Sequence, residues 1–313
     1  MMSMLVPDQI TRVSAPDLTR DLDLLDDEVA KLLDFTHEIK QTPSRYAQAL
    51  AGKSIAVLFE KPSLRTRLTF ELAIQQLGGS AVGGDGPIGA REPLKDVARN
   101  LDRWVNAIVA RTFRQDTIEE LARWSSVPVI NALSDRFHPC QALADVFTLS
   151  ERFGELRGLR LAFVGDGNNV ANSLMLTALR MGINFSMATP RGYQPHPEMV
   201  ACARSVAAVS GATLAIGNDP EAAVAGANAV YTDVWASMGQ ESEAEQRRRD
   251  FMPYQVNEKL FSRALSDAVF MHCLPAKRGE EVTDAVIECP RSVVFDQAEN
   301  RLHAQKALLL MMM

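Results

Sequence analysis

Ser54-Ile55-Ala56-Val57-Leu58-Phe59-Glu60-Lys61-Pro62-Ser63-Leu64-Arg65-Thr66-Arg67 is the stretch around which the chain is organised. Ser54 to Leu58 is an apolar, β-rich run, the pattern of a buried strand. Beyond Arg67, the apolar residues Leu68, Phe70, Leu72, Ile74 and Leu77 are mixed with good helix formers until Gly78-Gly79, where glycine ends a helix. The stretch therefore predicts a strand, a turn and a helix, with Ser63 as N-cap and Pro62 just ahead of it. A helix N-terminus offers unspent N–H groups and a partial positive charge. The guanidinium groups of Arg65 and Arg67 and the hydroxyls of Ser63 and Thr66 turn that end into a phosphate cradle. The competing structural reading is a solvated first helical turn. The helix dipole disfavours cations there, so two arginines at that end favour an anion.

The same alternation continues on both sides. Leu22 to Ile39 predicts a helix, with Leu25, Val29, Leu32 and Leu33 at helical spacing. Ser80-Ala81-Val82 predicts a short strand, followed by a Gly-rich loop from Gly83 to Gly89. Helices are expected over Glu92–Trp104 and Asp116–Trp124, strands over Ala107–Arg111 and Val127–Asn131, and a long helix from His138 to Arg152. A second set then begins. Its strands are Arg160–Val164, Asn184–Ala188, Thr213–Ala215, Ala229–Thr232, Ala268–Met271 and Val293–Phe295. Its helices are Asn169–Met181, Pro197–Val209 and a closing one over Glu299–Leu309. Such alternation implies βαβ units and parallel sheets. The expected fold is α/β: two similar-sized domains, each a parallel sheet flanked by helices, joined by long helices.

Length and composition agree with this class. At 313 residues, two domains are the default. A net charge of −6 argues against a general nucleic-acid binder while leaving room for a local basic pocket. The four cysteines, Cys140, Cys202, Cys273 and Cys289, form no C-x-x-C pair, which fits free thiols in a reducing compartment. No apolar run reaches the roughly 18–20 residues of a membrane span. No basic segment followed by an apolar one marks a secretory signal, so a cytoplasmic location is expected. Leu308 to Met313 is expected to cap the last helix or fray.

The chemistry-bearing residues fall at strand ends. Arg111 ends a predicted strand, His138-Pro139-Cys140-Gln141 starts a predicted helix, and His272-Cys273-Leu274-Pro275 ends another strand. In open parallel sheets, ligands gather beyond the carboxyl ends of the strands. His37, His196 and His303 lack such a position and read as structural. Gly165-Asp166-Gly167-Asn168-Asn169-Val170 invites a dinucleotide reading, but Val170 stands where the third glycine belongs. The next strand ends Ala188-Thr189, with no acidic residue for a ribose. Asp233 followed by Ser237-Met238-Gly239 offers a carboxylate and a hydroxyl suited to an ammonium group; taken alone, the residues favour an ordinary surface loop.

Taken in order, Ser63-Leu64-Arg65-Thr66-Arg67, His138-Pro139-Cys140-Gln141, Asp233 with Ser237-Met238-Gly239, and His272-Cys273-Leu274-Pro275 resemble the ornithine carbamoyltransferases, of the aspartate/ornithine carbamoyltransferase superfamily. The resemblance runs from about Leu22 to Leu309. The first two motifs are shared with aspartate carbamoyltransferase; the last two are the ornithine-specific ones. The resemblance implies a carbamoyl-phosphate-binding domain over residues 1–137, completed by a C-terminal helix over 298–313, and an ornithine-binding domain over 138–297. It implies carbamoyl transfer from carbamoyl phosphate to the δ-amine of ornithine, with no metal and no organic cofactor. Ser63, Leu64, Arg65 and Thr66 would grip the phosphate, Leu64 through its backbone N–H, and Arg301 would close that site. Arg111, His138 and Gln141 would hold the carbamoyl end. Asn169, Asp233, Ser237 and Met238 would bind ornithine, and Cys273 and the Leu274 backbone would flank the reacting groups. Cys273, Arg111 and His138 are the implied catalytic residues. The family is typically a homotrimer with active sites near subunit boundaries. Two positions depart from its pattern: Pro87 stands where many relatives carry a glutamine that reaches a neighbour's carbamoyl phosphate, and Leu64 replaces the commoner threonine. Two alternatives stay open: an acceptor such as acetylornithine, succinylornithine, putrescine or aspartate, and a catalytically silent homologue.

Overall fold

The computed structural model describes residues 10–236 and 241–313. The chain forms two compact units, one from its start to Phe147 together with Glu299–Met313, the other Thr148–Ala298. The expected division at 137/138 lies just ahead of the helix Pro139–Phe153, which starts in the first unit and ends in the second.

In the first unit the helices are α1 (Asp26–Gln41), α2 (Leu64–Gln76), α3 (Leu94–Leu101), α4 (Gln115–Trp124) and the start of α5 (Pro139–Phe153). The strands are β1 (Ser54–Phe59), β2 (Ser80–Asp85), β3 (Ala107–Arg111) and β4 (Val129–Leu133), all parallel in the order β2-β1-β3-β4. β3 and β4 are buried along their whole length, as strands covered on both faces must be, which is why they read as continuous apolar runs. Ala56, Ile108, Ala110, Ile118, Leu121 and Val129 pack as one cluster on this sheet.

β2 corrects the expectation of a loop after Val82. The strand continues through Gly83, Gly84 and Asp85 as an exposed edge, with no apolar alternation to signal it. Gly83 has φ 128°, and a Cβ there would lie 2.5 Å from the Val57 carbonyl oxygen, so only glycine lets β2 lie against β1.

In the second unit the strands are β5 (Arg160–Val164), β6 (Asn184–Ala188), β7 (Leu214–Gly217), β8 (Ala229–Thr232) and β9 (Val269–His272), parallel in the order β7-β6-β5-β8-β9. The helices are α6 (Asn169–Arg180), α7 (Pro197–Ser210), α8 (Pro220–Val224), α9 (Ala244–Phe251), α10 (Glu258–Phe261), α11 (Asp284–Ile287) and the start of α12 (Val294–Met312). The core gathers Val164, Val230, Trp235, Phe251 and Phe270. The strand expected over Val293–Phe295 is absent. Ser292 makes a single bridge to Phe270, Val293 N–H donates to the Phe270 carbonyl at 3.0 Å, and the chain then enters α12. A three-residue apolar run does not tell a strand from a helix start. α12 also runs on to Met312, with the Leu308–Met312 tail buried.

Each sheet reverses its winding beside its first strand, between β1 and β3 and between β5 and β8. The loops leaving the carboxyl ends of those pairs diverge and leave the crevice in which such sheets hold ligands.

The segment leading into α1 is pinned to β4. Asp17 Oδ1 accepts the Val129 N–H at 2.8 Å, and Leu18 N–H donates to the Val129 carbonyl at 2.9 Å. Burial pushes the Asp17 carboxyl up to about 6, against the opposing pull of the Val129 N–H. A carboxyl whose folded pKa lies above its unfolded value adds stability below the unfolded pKa, and that stability is lost as pH rises through the folded one. The window is therefore about pH 4 to 6. Asp17→Asn keeps the acceptor and removes the ionisation. Relative to wild type it should gain about 1 kcal/mol between pH 4 and pH 7, allowing for screening of a half-exposed group. Paired thermal melts at the two pH values check this; a gap that stays constant or narrows contradicts it.

Candidate active site

The first cluster lies at the carboxyl ends of β1 and β3. Phe59 and Arg111 are register partners, and Glu60 N–H donates to the Arg111 carbonyl at 2.8 Å, so the loop after β1 passes directly beside Arg111. Ser63 takes the N-cap position of α2, but its hydroxyl makes no capping bond. The hydroxyl and the N–H groups of the first turn are thus left for another acceptor or donor. Thr66, one turn in, is buried and acts as a hub: Arg111 Nη1 donates to its Oγ1 at 3.3 Å and Arg301 Nη2 at 2.5 Å.

The two arginines of the motif part company. Arg67 is paired with Glu71 at 2.8 Å and with Asp85 at the end of β2. Arg65 is half-buried, and among the described residues its side chain meets no carboxylate. The cradle thus keeps one of the two guanidinium groups of its own motif, and Arg111 and Arg301, both of which the resemblance places at carbamoyl phosphate, meet at its Thr66. Lys61, which the sequence reading did not single out, adds a cation beside Arg111. Burial first and that guanidinium second lower its pKa, and its ammonium lies 4.7 Å over the Phe113 ring.

His138 and Gln141 enter from the start of α5, and both are buried. Burial, then the Arg301 and Arg111 charges, hold the His138 pKa well below the ordinary value, so the ring is neutral near pH 7. Gln141 Nε2 donates to Asp145 Oδ1 at 2.7 Å, which fixes the amide and leaves its buried Oε1 with no hydrogen-bond partner among the described residues. A buried carbonyl oxygen without a donor is costly and suits a ligand N–H. Cys140, between them, is structural: its thiol donates to the Asn131 carbonyl at 3.4 Å and burial pushes it up to about 12.

The second cluster lies at the carboxyl ends of β5, β8 and β9. Thr232 and His272 are register partners, which makes Asp233 and Cys273 neighbours. Cys273 Sγ donates to Asp233 Oδ1 at 3.1 Å. Asn168, the N-cap of α6, donates to Asp233 Oδ2 at 2.9 Å. Asn168 was not among the expected site residues; Asn169, which was, opens α6 beside it. Leu274 has φ 57°, a left-handed conformation that costs a leucine on the order of 1 kcal/mol, and the Leu274–Pro275 peptide is cis. Ser237 and Met238 lie outside the described residues. On either side of them, Arg247 Nη1 donates to the Trp235 carbonyl at 3.0 Å and Arg247 Nε to Glu243 at 2.9 Å. Arg247 also pairs with the buried Asp166 at 2.9 Å.

Asp233, His272 and Cys273 each bring one ligating atom within 4.8 Å of the others. Their donor atoms are already spent. Cys273 binds Asp233, His272 Nδ1 accepts the Leu274 N–H at 2.8 Å, and His272 Nε2 meets Glu281 Oε1 at 3.2 Å. A cation there would have to break these bonds.

Comparison with known proteins gives one family for both units. The profile of the aspartate/ornithine carbamoyltransferase carbamoyl-P binding domain matches residues 17–151, and that of the Asp/Orn binding domain matches residues 157–312. The chain is 50% identical over 302 residues to an ornithine carbamoyltransferase from Thermococcus kodakarensis, covering 91% of this chain and 96% of that one. It superposes on the ornithine carbamoyltransferase structure from Pyrococcus furiosus with a TM-score of 0.94 and 47% identity, covering 97% of this chain and 99% of that one. An acetylornithine transcarbamylase structure, complexed with acetylcitrulline, is similar at 33% identity and a TM-score of 0.85, covering 93% of this chain and 97% of that one.

Proposed function

The chain belongs to the aspartate/ornithine carbamoyltransferase family, and we propose that it transfers the carbamoyl group of carbamoyl phosphate to the δ-amine of L-ornithine, giving L-citrulline and phosphate, a step of arginine biosynthesis. The observation that carries the donor half is the Thr66 hub: two guanidinium groups meet one hydroxyl at the N-terminus of α2, with Arg65 left without a carboxylate among the described residues. Such a concentration of cation and N–H donors suits a phosphate dianion.

Ser63, the Leu64 N–H, Arg65, Thr66 and Arg301 hold the phosphate in this reading. Arg111 and the neutral His138 donate to the carbamoyl oxygen, where negative charge grows as the amine attacks. Gln141 Oε1 accepts from the carbamoyl NH₂. Asn169, Asp233, Ser237 and Met238 hold the α-amino and carboxyl groups of ornithine, and Cys273 and the Leu274 backbone flank the reacting amine. The C–N bond forms and the C–O bond to phosphate breaks. The amine of ornithine, which resembles lysine with a free pKa near 10.4, sheds one proton to solvent before attack and a second as the bond forms, the second going to the departing phosphate. Fixed donors and orientation supply the acceleration, and no metal or organic cofactor enters any step.

Incubation with carbamoyl phosphate and a panel of amines (ornithine, acetylornithine, succinylornithine, putrescine, aspartate) tests the assignment. Citrulline from ornithine with negligible turnover of the others is expected. Turnover of another amine in preference to ornithine overturns the acceptor, and carbamoyl phosphate binding without any turnover points to a silent homologue. Cys273→Ala should lower kcat/KM for ornithine about tenfold, the order of one lost hydrogen bond to a charged group. The carbamoyl phosphate dissociation constant should not move; an unchanged ornithine saturation curve reduces Cys273 to packing.

The chain acts as a homotrimer in this reading. Leu64, Leu68 and Leu72 form an exposed row at four-residue spacing on α2, which packs on β2 where Val82 is also exposed. An apolar row of this kind is the sort of surface a protein contact covers. Sedimentation velocity at three times the chain mass is the expected result. A cytoplasmic setting suits the scattered free thiols; among the described residues no helix is long and apolar enough to cross a membrane.

A further inference from the structure

We infer that His272 and Glu281 form a positioning pair that sets the Cys273–Leu274 corner of the acceptor site; the inference rests on the acceptor reading above. His272 ends β9 and is fully buried, as is Glu281, so neither side chain reaches a substrate. Both ring nitrogens of His272 are committed. The Leu274 N–H is a donor and lies 2.8 Å from Nδ1, so Nδ1 accepts and the ring hydrogen sits on Nε2, 3.2 Å from Glu281 Oε1. The same Glu281 oxygen accepts the Lys277 N–H at 2.5 Å. One carboxyl oxygen therefore ties together the two ends of the turn from His272 to Lys277.

The pair is itself anchored. The Glu281 carbonyl accepts the Val256 N–H at 2.8 Å, and the His272 N–H donates to Gln297 Oε1 at 3.0 Å, whose amide reaches the Tyr231 hydroxyl at 3.2 Å. Between these fixed points stands Leu274 at φ 57°, a conformation an L-residue keeps only under local constraint. Cys273 lies between His272 and Leu274, so the direction of its Sγ toward Asp233, 3.1 Å away, follows from how the corner is held. His272 thereby governs where the thiol and the Leu274 backbone stand without touching the reaction.

His272→Phe keeps a flat ring and removes both hydrogen-bonding atoms. A corner displaced by about 1 Å should lower kcat on the order of 10²-fold, with the carbamoyl phosphate dissociation constant unchanged within about twofold. His272→Asn places an amide oxygen near the site of Nδ1 and should recover about tenfold of that loss. A second readout needs no substrate: the rate of iodoacetamide alkylation of Cys273, mapped by peptide, should rise about fivefold or more in His272→Phe as the thiol leaves Asp233, and fall back in His272→Asn. If His272→Phe does not fold, Glu281→Leu should reproduce both effects while Glu281→Gln, which keeps the accepting oxygen, stays near wild type. A folded His272→Phe or Glu281→Leu protein with wild-type kcat and wild-type alkylation overturns the pair, as does a His272→Asn protein no better than His272→Phe. Should the wild type make no citrulline, the acceptor reading fails on its own, and the alkylation comparison still decides the pair.

Discussion

Arg65→Ala should yield a folded protein whose kcat/KM for carbamoyl phosphate is lower by about two to three orders of magnitude, the cost of losing one fixed donor to developing or localised anionic charge. The reason is the division of labour between the two arginines of the motif. Arg67 already serves Glu71 and Asp85, and its charge is neutralised by the protein. Arg65 sits one residue into α2, where the helix dipole disfavours it, half-buried and with no carboxylate among the described residues. A cation kept in such a place is stabilised when an anion arrives, and a guanidinium meets phosphate with two parallel donors. Arg67→Ala is the internal control: it removes exposed ion pairs worth about 0–1 kcal/mol and should leave kcat/KM within about threefold. Steady-state kinetics with carbamoyl phosphate varied at saturating ornithine, alongside circular dichroism, separate the two. A folded Arg65→Ala protein with near-normal kinetics, or an Arg67→Ala protein equally damaged, contradicts the phosphate cradle.

What could be read from the sequence follows from how local each signal is. The strand–turn–helix around Ser63 and the strand ending in Arg111 are written in contiguous apolar runs, and both appear where expected. Parallel strands then force their carboxyl ends together, so the meeting of Arg111 with the cradle follows from topology. The fate of Arg67 did not follow. Its partner Asp85 belongs to a strand that is all exposed and rich in glycine, and so lacks the alternation by which strands are recognised. Asn168 was missed for a different reason. Its bond to Asp233 spans two strands adjacent only because the sheet reverses at β5, a fact of strand order that spacing along the chain does not carry. Helix α9, Ala-Glu-Gln-Arg-Arg-Arg-Asp-Phe, has no apolar stripe; Arg247 and Phe251 alone are buried, one spent on Asp166 and the other in the core. A buried arginine looks like a surface one until its partner is known.

Asp233→Asn should depress kcat/KM for ornithine by about 10²-fold or more, while carbamoyl phosphate binding stays as in the wild type. Both carboxyl oxygens of Asp233 accept from protein donors, Oδ1 from Cys273 Sγ at 3.1 Å and Oδ2 from Asn168 Nδ2 at 2.9 Å. An amide has one accepting oxygen. Whichever way it turns, its NH₂ group faces a donor, and either the thiol or the Asn168 amide must move. The substitution also removes the negative charge that, in the proposed reading, meets the α-ammonium of ornithine in a buried setting, where a lost charge partner is most costly. The two losses fall on the same ligand, which is why the effect should exceed that of Cys273→Ala, where the carboxyl and its Asn168 partner remain. Asn168→Ala gives the graded intermediate: the charge persists with one orienting bond fewer, and about a tenfold loss is expected. Carbamoyl phosphate affinity, measured by titration calorimetry without ornithine, is the arm that must not respond, because Ser63, Arg65, Thr66, Arg111 and Arg301 all belong to the other unit. If Asp233→Asn leaves ornithine saturation intact, or weakens both substrates equally, Asp233 does not hold the acceptor and the charge that binds ornithine lies elsewhere.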